Sequence, residues 1–288
     1  MSLLRLLPWA LRAAWAVLAF SVGPALGAAL DPRSQAVQLV ASVAAWGVWG
    51  VVLAATLVPH PVSLTVVRAA APAAVATAVA TAVDGHGSPL ALSTSSLALA
   101  LAFLPEVGTV FVNGPTYPNE RRFLLRAPAP LALGMLALVW ALAAVGPVAG
   151  LLLVAAHQWV AGGIVMAAGV PLSVVLARAM HGLSRRWLVF VPAGVVLHDP
   201  IALADPVLFR RQLITRIGPA AADTPALDLT QTALGLALEL TLTEEVPMLR
   251  TRPGRHRTEA VSPTRLLFTP TRPGAVLREA QSRGLPVS

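Results

Sequence analysis

Cysteine and lysine are both absent from the 288 residues. Without cysteine the chain forms no disulfide, no thiolate metal site and no cysteine nucleophile. All 21 basic residues are therefore arginine. With the Ala/Val/Leu/Pro bias, this reads as high-GC codon usage and not as a chemical choice. Charge is scarce as well: 12% of residues, about half of what a soluble domain carries. What takes its place is apolar. Hydrophobic residues make up 56% of the chain and the mean hydropathy is +0.73, the composition of a membrane protein. The pI of 11.6 invites a nucleic-acid reading, and the placement of the arginines argues against it.

An apolar run needs about 20 residues to cross roughly 30 Å of hydrocarbon. Six are expected, at 8–30, 35–58, 62–83, 90–112, 129–153 and 159–180. The first has an alternative: Ala25–Ala29, ALGAA, offers small residues to a signal peptidase. Its length, and the GxxxG spacing of Gly23 and Gly27, speak for a retained packing helix; Pro24 within that spacing speaks against the packing. The run from Ala129 to Met180 is long enough for two spans. A break at Gly146-Pro147 would leave one of about 16 residues, short for a bilayer, so the turn is expected at His157-Gln158, with Pro147 inside a helix. Asp84-Gly85-His86-Gly87-Ser88-Pro89 is a turn signal.

Six spans put Arg5, Arg12, Arg68, Arg121, Arg122, Arg126, Arg178, Arg185 and Arg186 on or near one side. Arg33, with Asp31 and Asp84, is alone on the other. The positive-inside rule then makes this a multi-pass cell-membrane protein with both termini cytoplasmic. Loss of the first span would move the new N-terminus outside and leave the other five as they are.

From Trp187 onward the pattern changes. WLVFV and VVLHD flank Pro192-Ala193-Gly194, a hairpin signal. Strands are expected over Val207–Ile217, Ala226–Leu229, Leu234–Thr243 and Arg265–Thr269. Within the third of these, Leu236, Leu238, Leu240 and Leu242 alternate with polar or small residues. Pro273–Ala280 reads as a closing helix, stopped by Gly284 and Pro286. The expected architecture is a six-helix transmembrane domain over 1–183 and a small cytoplasmic α+β domain over 184–288, long enough to fold by itself.

The arginine pair after a transmembrane hairpin, WLVFVPAGVVLHD, FRRQLITRI and the closing FTPTRPGAVLREA together resemble the bacterial pleckstrin-homology-like domains of small membrane proteins. The resemblance covers roughly the last 100 residues, a domain's length. It implies a partly open β-barrel with a closing helix, and it does not imply phospholipid binding. The helical part, with GPTYPNERR, resembles an uncharacterised actinobacterial family of polytopic membrane proteins and implies no activity.

Glu106 is the only acidic residue inside a span. It lies about six residues from the cytoplasmic end, roughly 9 Å deep. Arg68 lies at a similar depth and Arg12 slightly shallower. Opposite charges at matching depth point to an intramembrane ion pair among Arg68, Glu106 and Arg12, since an unpaired charge there is costly. The other reading of Glu106 is a proton- or substrate-handling carboxylate. Asn113–Arg126, with Tyr117 and three arginines, is a topogenic loop or a binding loop. Arg121, Arg122, Arg126, Arg185, Arg186, Arg250, Arg252, Arg255 and Arg257 are candidates for contact with anionic lipid at the negative cytoplasmic face. For the run RTRPGRHR the alternative is a solvated inter-strand loop.

No HExxH, GxSxG, GxGxxG or GxxxxGK[ST] occurs, and no catalytic, cofactor or metal site is expected. A basic face interleaved with aromatics is also lacking, so nucleic acid is not an expected partner. The expected partners are the bilayer, anionic lipids and a cytoplasmic protein. Two functions stay open: a non-enzymatic scaffold or regulator that anchors the cytoplasmic domain, and a small transporter or channel using Glu106. A lipid-modifying enzyme is a third, without a visible pair of catalytic groups.

Overall fold

The computed structural model describes residues 3–251 and 258–288. They fall into two compact units.

The first unit takes in the chain up to Gly114, and then Leu136–His181. Its helices are α1 (Leu3–Leu30), α2 (Gln35–Leu57), α3 (Pro61–Val83), α4 (Pro89–Phe103), α5 (Pro105–Asn113), α6 (Leu136–Ala155) and α7 (Trp159–Leu183, whose last residues lie past the unit's edge). Three of them open with proline at the first helical position, Pro61, Pro89 and Pro105. There the missing N–H costs nothing and the fixed φ suits the helix. Among the described residues five helices are long and apolar enough to cross a membrane, or six spans if α4 and α5 count as one.

That condition corrects the fourth expected span. The run 90–112 is not one helix: Leu104 leaves the helical conformation with ψ 133°, and the two halves meet at 58°. Pro105 is the cause, because the residue before a proline is pushed out of the α region and the proline donates no hydrogen bond. The turn expected at His157-Gln158 is there. His157 takes φ 61°, and Pro147 stays inside α6.

The GxxxG of α1 makes no tight contact. A Cβ at Gly27 would meet nothing within 4 Å. The close packing lies between α6 and α7, where a Cβ at Gly146 would stand 2.7 Å from the Cα of Gly169. Gly146 and Gly150 form their own GxxxG, the spacing that lets backbones approach.

The second unit comprises Pro115–Met135 and Gly182–Ser288. It is therefore not confined to 184–288: a segment lying between α5 and α6 in the chain belongs to it. That segment supplies β1 (Arg121–Leu124), which pairs antiparallel with β2 (Trp187–Val191). With β3 (Gly194–His198) and β4 (Val207–Arg210) these make a four-stranded sheet in the order β1-β2-β3-β4. A second sheet has the order β5-β7-β10-β6, from β5 (Ile214–Pro219), β6 (Leu227–Asp228), β7 (Leu238–Leu242) and β10 (Arg265–Phe268). A separate hairpin joins β8 (Met248–Thr251) to β9 (Thr258–Val261). Among the described residues the strands form sheets and not a closed barrel.

The expected strand 207–217 is two strands in different sheets, separated by a 3-10 turn at Arg211–Leu213 where the chain passes from one to the other. In β7 the alternation holds over Leu238, Leu240 and Leu242, all buried, while Leu236 is exposed and outside the strand. The core collects Phe123, Phe190, Phe209, Leu240 and Phe268 from both sheets, and α8 (Pro273–Ser282) closes it with Val276 and Ala280. Gly194 is needed for the crossing of β3 and β4: a Cβ there would stand 2.1 Å from the Phe209 carbonyl oxygen.

Candidate functional site

Within the helical unit Arg12 and Arg68, each inside its own helix, reach the carbonyl end of another. Pro105 has no N–H, so the Leu101 carbonyl takes the N–H of Leu104 instead, at 3.2 Å. One residue on, the Ala102 carbonyl accepts Nε of Arg68 at 3.1 Å, and that guanidinium lies 5.6 Å from the Phe103 ring centroid. Arg68, on α3, thus answers the carbonyl end of α4. Glu106 stands half-buried in the first turn of α5. Cation at the carbonyl end and carboxylate at the amide end both match the dipoles of the two half-helices. Arg12 repeats the device on another pair: Nε donates to the Thr56 carbonyl, in the last turn of α2, at 3.0 Å, and the guanidinium sits 4.4 Å over Trp9. For both arginines the acceptor found is a helix-end carbonyl, a partner that depth-matching along the sequence does not consider.

Neutral polar contacts tie the other helices. Trp15 and Trp49 exchange hydrogen bonds, each indole N–H donating to the other's carbonyl at 3.0 Å. Ser21 meets Thr94 at 2.8 Å. Thr65 meets His181 Nδ1 at 2.9 Å, joining α3 to α7.

In the strand-rich unit the arginine candidates separate. Arg121 and Arg185 are exposed. Arg122 lies 3.6 Å from Glu120 and 5.1 Å over Trp187, whose other neighbour is a stacked His198. Arg126 is exposed. Its N–H donates to the Thr269 carbonyl at 2.8 Å, and its side chain passes Gly235. Arg250 donates from Nη2 to the Asp228 carbonyl at 3.2 Å. Arg252, Arg255 and Arg257 lie outside the described residues. Arg186 must leave the lipid-facing set. Its side chain is 1% exposed and is held by Asp199, Nε to Oδ1 at 2.8 Å and Nη2 to Oδ2 at 2.7 Å. A guanidinium enclosed in this way meets no headgroup.

Sequence reasoning did not find Asp199 or β1. The signal for Asp199 was a carboxylate ending an otherwise apolar hairpin thirteen residues after an arginine. For β1 it was Phe123 and Leu125 at alternate positions, blurred by Leu124 between them.

The second sheet carries an open groove of about 440 Å³ on its outer face. Arg216, Thr241 and Arg265 stand abreast across β5, β7 and β10. Beside them Glu239, 3% exposed, accepts Thr224 Oγ1 at 2.8 Å and Thr241 Oγ1 at 3.2 Å and lies 4.0 Å from Arg265. Its carboxylate is satisfied from within the fold. Among the described residues no three of His, Asp and Glu come together as a metal site.

Comparison with protein-family models, with curated proteins and with solved structures finds no match for this chain.

Proposed function

We propose that the chain is a multi-pass membrane protein without enzymatic activity, which holds a small cytoplasmic domain for a protein partner and acts as scaffold or regulator. The observation that carries this is β1. Because Pro115–Met135 belongs with Gly182–Ser288, the chain passes between the two units three times, at residues 114/115, 135/136 and 181/182. A domain hung on one linker is a passenger; one that takes a strand from between two helices is tied to the helical unit by three connections. β1 follows the broken helix by seven residues, so a change at the Pro105 break has a short covalent path into the sheet. The two helices between β1 and β2, α6 and α7, return the chain to the side it left, which is what a shared domain requires and what the arginine asymmetry expects.

Two sheets around one core and a closing helix support the pleckstrin-homology-like reading at the level of fold. Exposed Arg185, just past the end of α7, and exposed Arg121, at the start of β1, support contact with anionic headgroups.

The test is purification of the full chain from membranes, intact and with Asp199→Asn. A scaffold or regulator brings a defined protein partner that is lost when the domain is loosened while the helices still insert. Recovery of the same partner from both forms, or of none from either, contradicts the reading.

One observation favours transport instead. Discontinuous spans with a charged residue at the break are a recurring way to build a solute site, and α4/α5 with Glu106 has that form. The discriminating measurement is solute or ion flux in proteoliposomes: flux abolished by Glu106→Gln supports transport, and its absence in the intact chain rejects it.

A further inference from the structure

β5 has β7 along one edge only. Along the other lies the segment Leu285–Ser288. The N–H of Ile217 donates to the Pro286 carbonyl at 2.8 Å, and the N–H of Ser288 donates to the Ile217 carbonyl at 3.3 Å. Val287 stands opposite Ile217 in a parallel bridge. The side chains alternate as in a strand: Leu285 is in the core and Val287 packs partly against it, while Pro286 and Ser288 face outward. Gly218 makes the approach possible, because a Cβ there would stand 2.3 Å from the Ser288 carbonyl oxygen; a larger residue shuts the edge. Arg216 clasps the segment from outside, Nε to Ser288 Oγ at 2.5 Å. The ladder cannot run further, since Pro219 has no N–H to offer.

Leu285 itself is anchored by its burial and by its N–H on the Ala280 carbonyl at 3.0 Å; against β5 the occupant is held by one residue pair, two main-chain hydrogen bonds and one exposed side-chain clasp. We infer that this edge of β5 is a strand-addition site with an exchangeable occupant: an extended segment of a partner protein, with aliphatic side chains at alternate positions, takes the place of residues 285–288. The inference rests on the scaffold reading and supplies its class of partner. Main-chain pairing at a sheet edge gives affinity for any extended chain, and the sockets filled by Leu285 and Val287 select for aliphatic residues two apart. The tethered segment is an intramolecular competitor, present at an effective concentration in the millimolar range. It keeps the edge covered, as exposed edges in native proteins are, until a partner outcompetes it.

The experiment uses the full chain in lipid nanodiscs and a fluorescent peptide Gly-Leu-Pro-Val-Ser, the sequence of residues 284–288. A control peptide carries aspartate in place of leucine and valine. The chain ending at Gly284 is expected to bind the first peptide on the order of a hundredfold more tightly than the intact chain does, and not to bind the control. Adding Gly218→Ala should abolish binding. Equal binding by truncated and intact chains, with β2 and β3 still protected from hydrogen exchange, overturns the inference. If the truncated chain does not fold, Val287→Asp releases the segment without removing it and is read in the same assay. Unfolding of both makes 285–288 a permanent strand and also overturns it. Loss of peptide binding alone leaves the partner-recovery test intact, so failure of the slot and failure of the scaffold reading are told apart.

Discussion

Arg186 and Asp199 form a bidentate ion pair with both side chains out of contact with solvent, and the third guanidinium nitrogen donates to the Arg126 carbonyl at 2.6 Å. Asp199 also accepts the N–H of Ile201 at 3.1 Å. One arginine therefore joins the end of β1, the start of β2 and the end of β3. With the Leu125 N–H on the Arg186 carbonyl, and the Leu124 carbonyl accepting the N–H of Thr271, β1 is held from both sides.

Breaking this pair should be expensive. A buried charge left without its partner typically costs about 3–5 kcal/mol, whereas replacing both members by apolar groups is often neutral. Arg186→Met and Asp199→Asn are each expected to destabilise the strand-rich unit by that order. Arg186→Met with Asp199→Leu should recover part of the loss but not all, because the Arg126 carbonyl and the Ile201 N–H remain unanswered. The measurement is denaturant-dependent hydrogen exchange of β2 and β3 in the solubilised chain. Additive losses would contradict the coupling.

At the helix break, Arg68→Met leaves the Ala102 carbonyl without its donor, a desolvation loss of about 1–3 kcal/mol. Pro105→Ala restores an N–H to the Leu101 carbonyl and lets the helix run on, so the double variant should be less damaged than Arg68→Met alone. Glu106→Gln is expected to lower stability by at least about 0.3–1 kcal/mol, the worth of a charge on the dipole of α5. The three variants are compared by thermal stability in detergent. A loss in Glu106→Gln that Arg68→Gln repairs would mark an ion pair between the two, and independent losses would mark two separate helix-end contacts.

The sequence makes the long elements legible because their signals are local. Apolar length marks α1, α2, α3, α6 and α7; turn residues mark His157 and Pro192-Ala193; Leu238, Leu240 and Leu242 mark β7. What it hides are relations between distant residues. Pro105 lies in an apolar run that reads as one span, because hydropathy windows do not count missing N–H groups. Arg68 finds a carbonyl, a partner with no letter of its own. β1 is four residues long, and its sheet neighbours come some sixty residues later, beyond two helices. Arg186 looks like its exposed neighbour Arg185 until Asp199 is brought to it.

The glycines offer a contrast between two identical spacings. In α1, Gly27→Ala meets open space and should stabilise by about 0.5–1 kcal/mol through helix propensity. In the α6–α7 contact, Gly146→Ala puts a Cβ 2.7 Å from the Cα of Gly169, must push the two backbones apart, and should lower the melting temperature in detergent. Equal responses at the two sites would contradict the assignment of the packing face.

A segment from between α5 and α6 forms a strand of the C-terminal domain. The natural absence of cysteine allows a clean test by cysteine pairs. Arg122 is opposite Val189 across β1 and β2, and Val189 is opposite Val196 across β2 and β3. With Arg122→Cys and Val189→Cys, mild oxidation of the full chain in membranes is expected to link residues 122 and 189, detected as a disulfide-joined peptide by mass spectrometry. Val189→Cys with Val196→Cys serves as the control. Formation of the control link without the 122–189 link would contradict the pairing of β1 with β2.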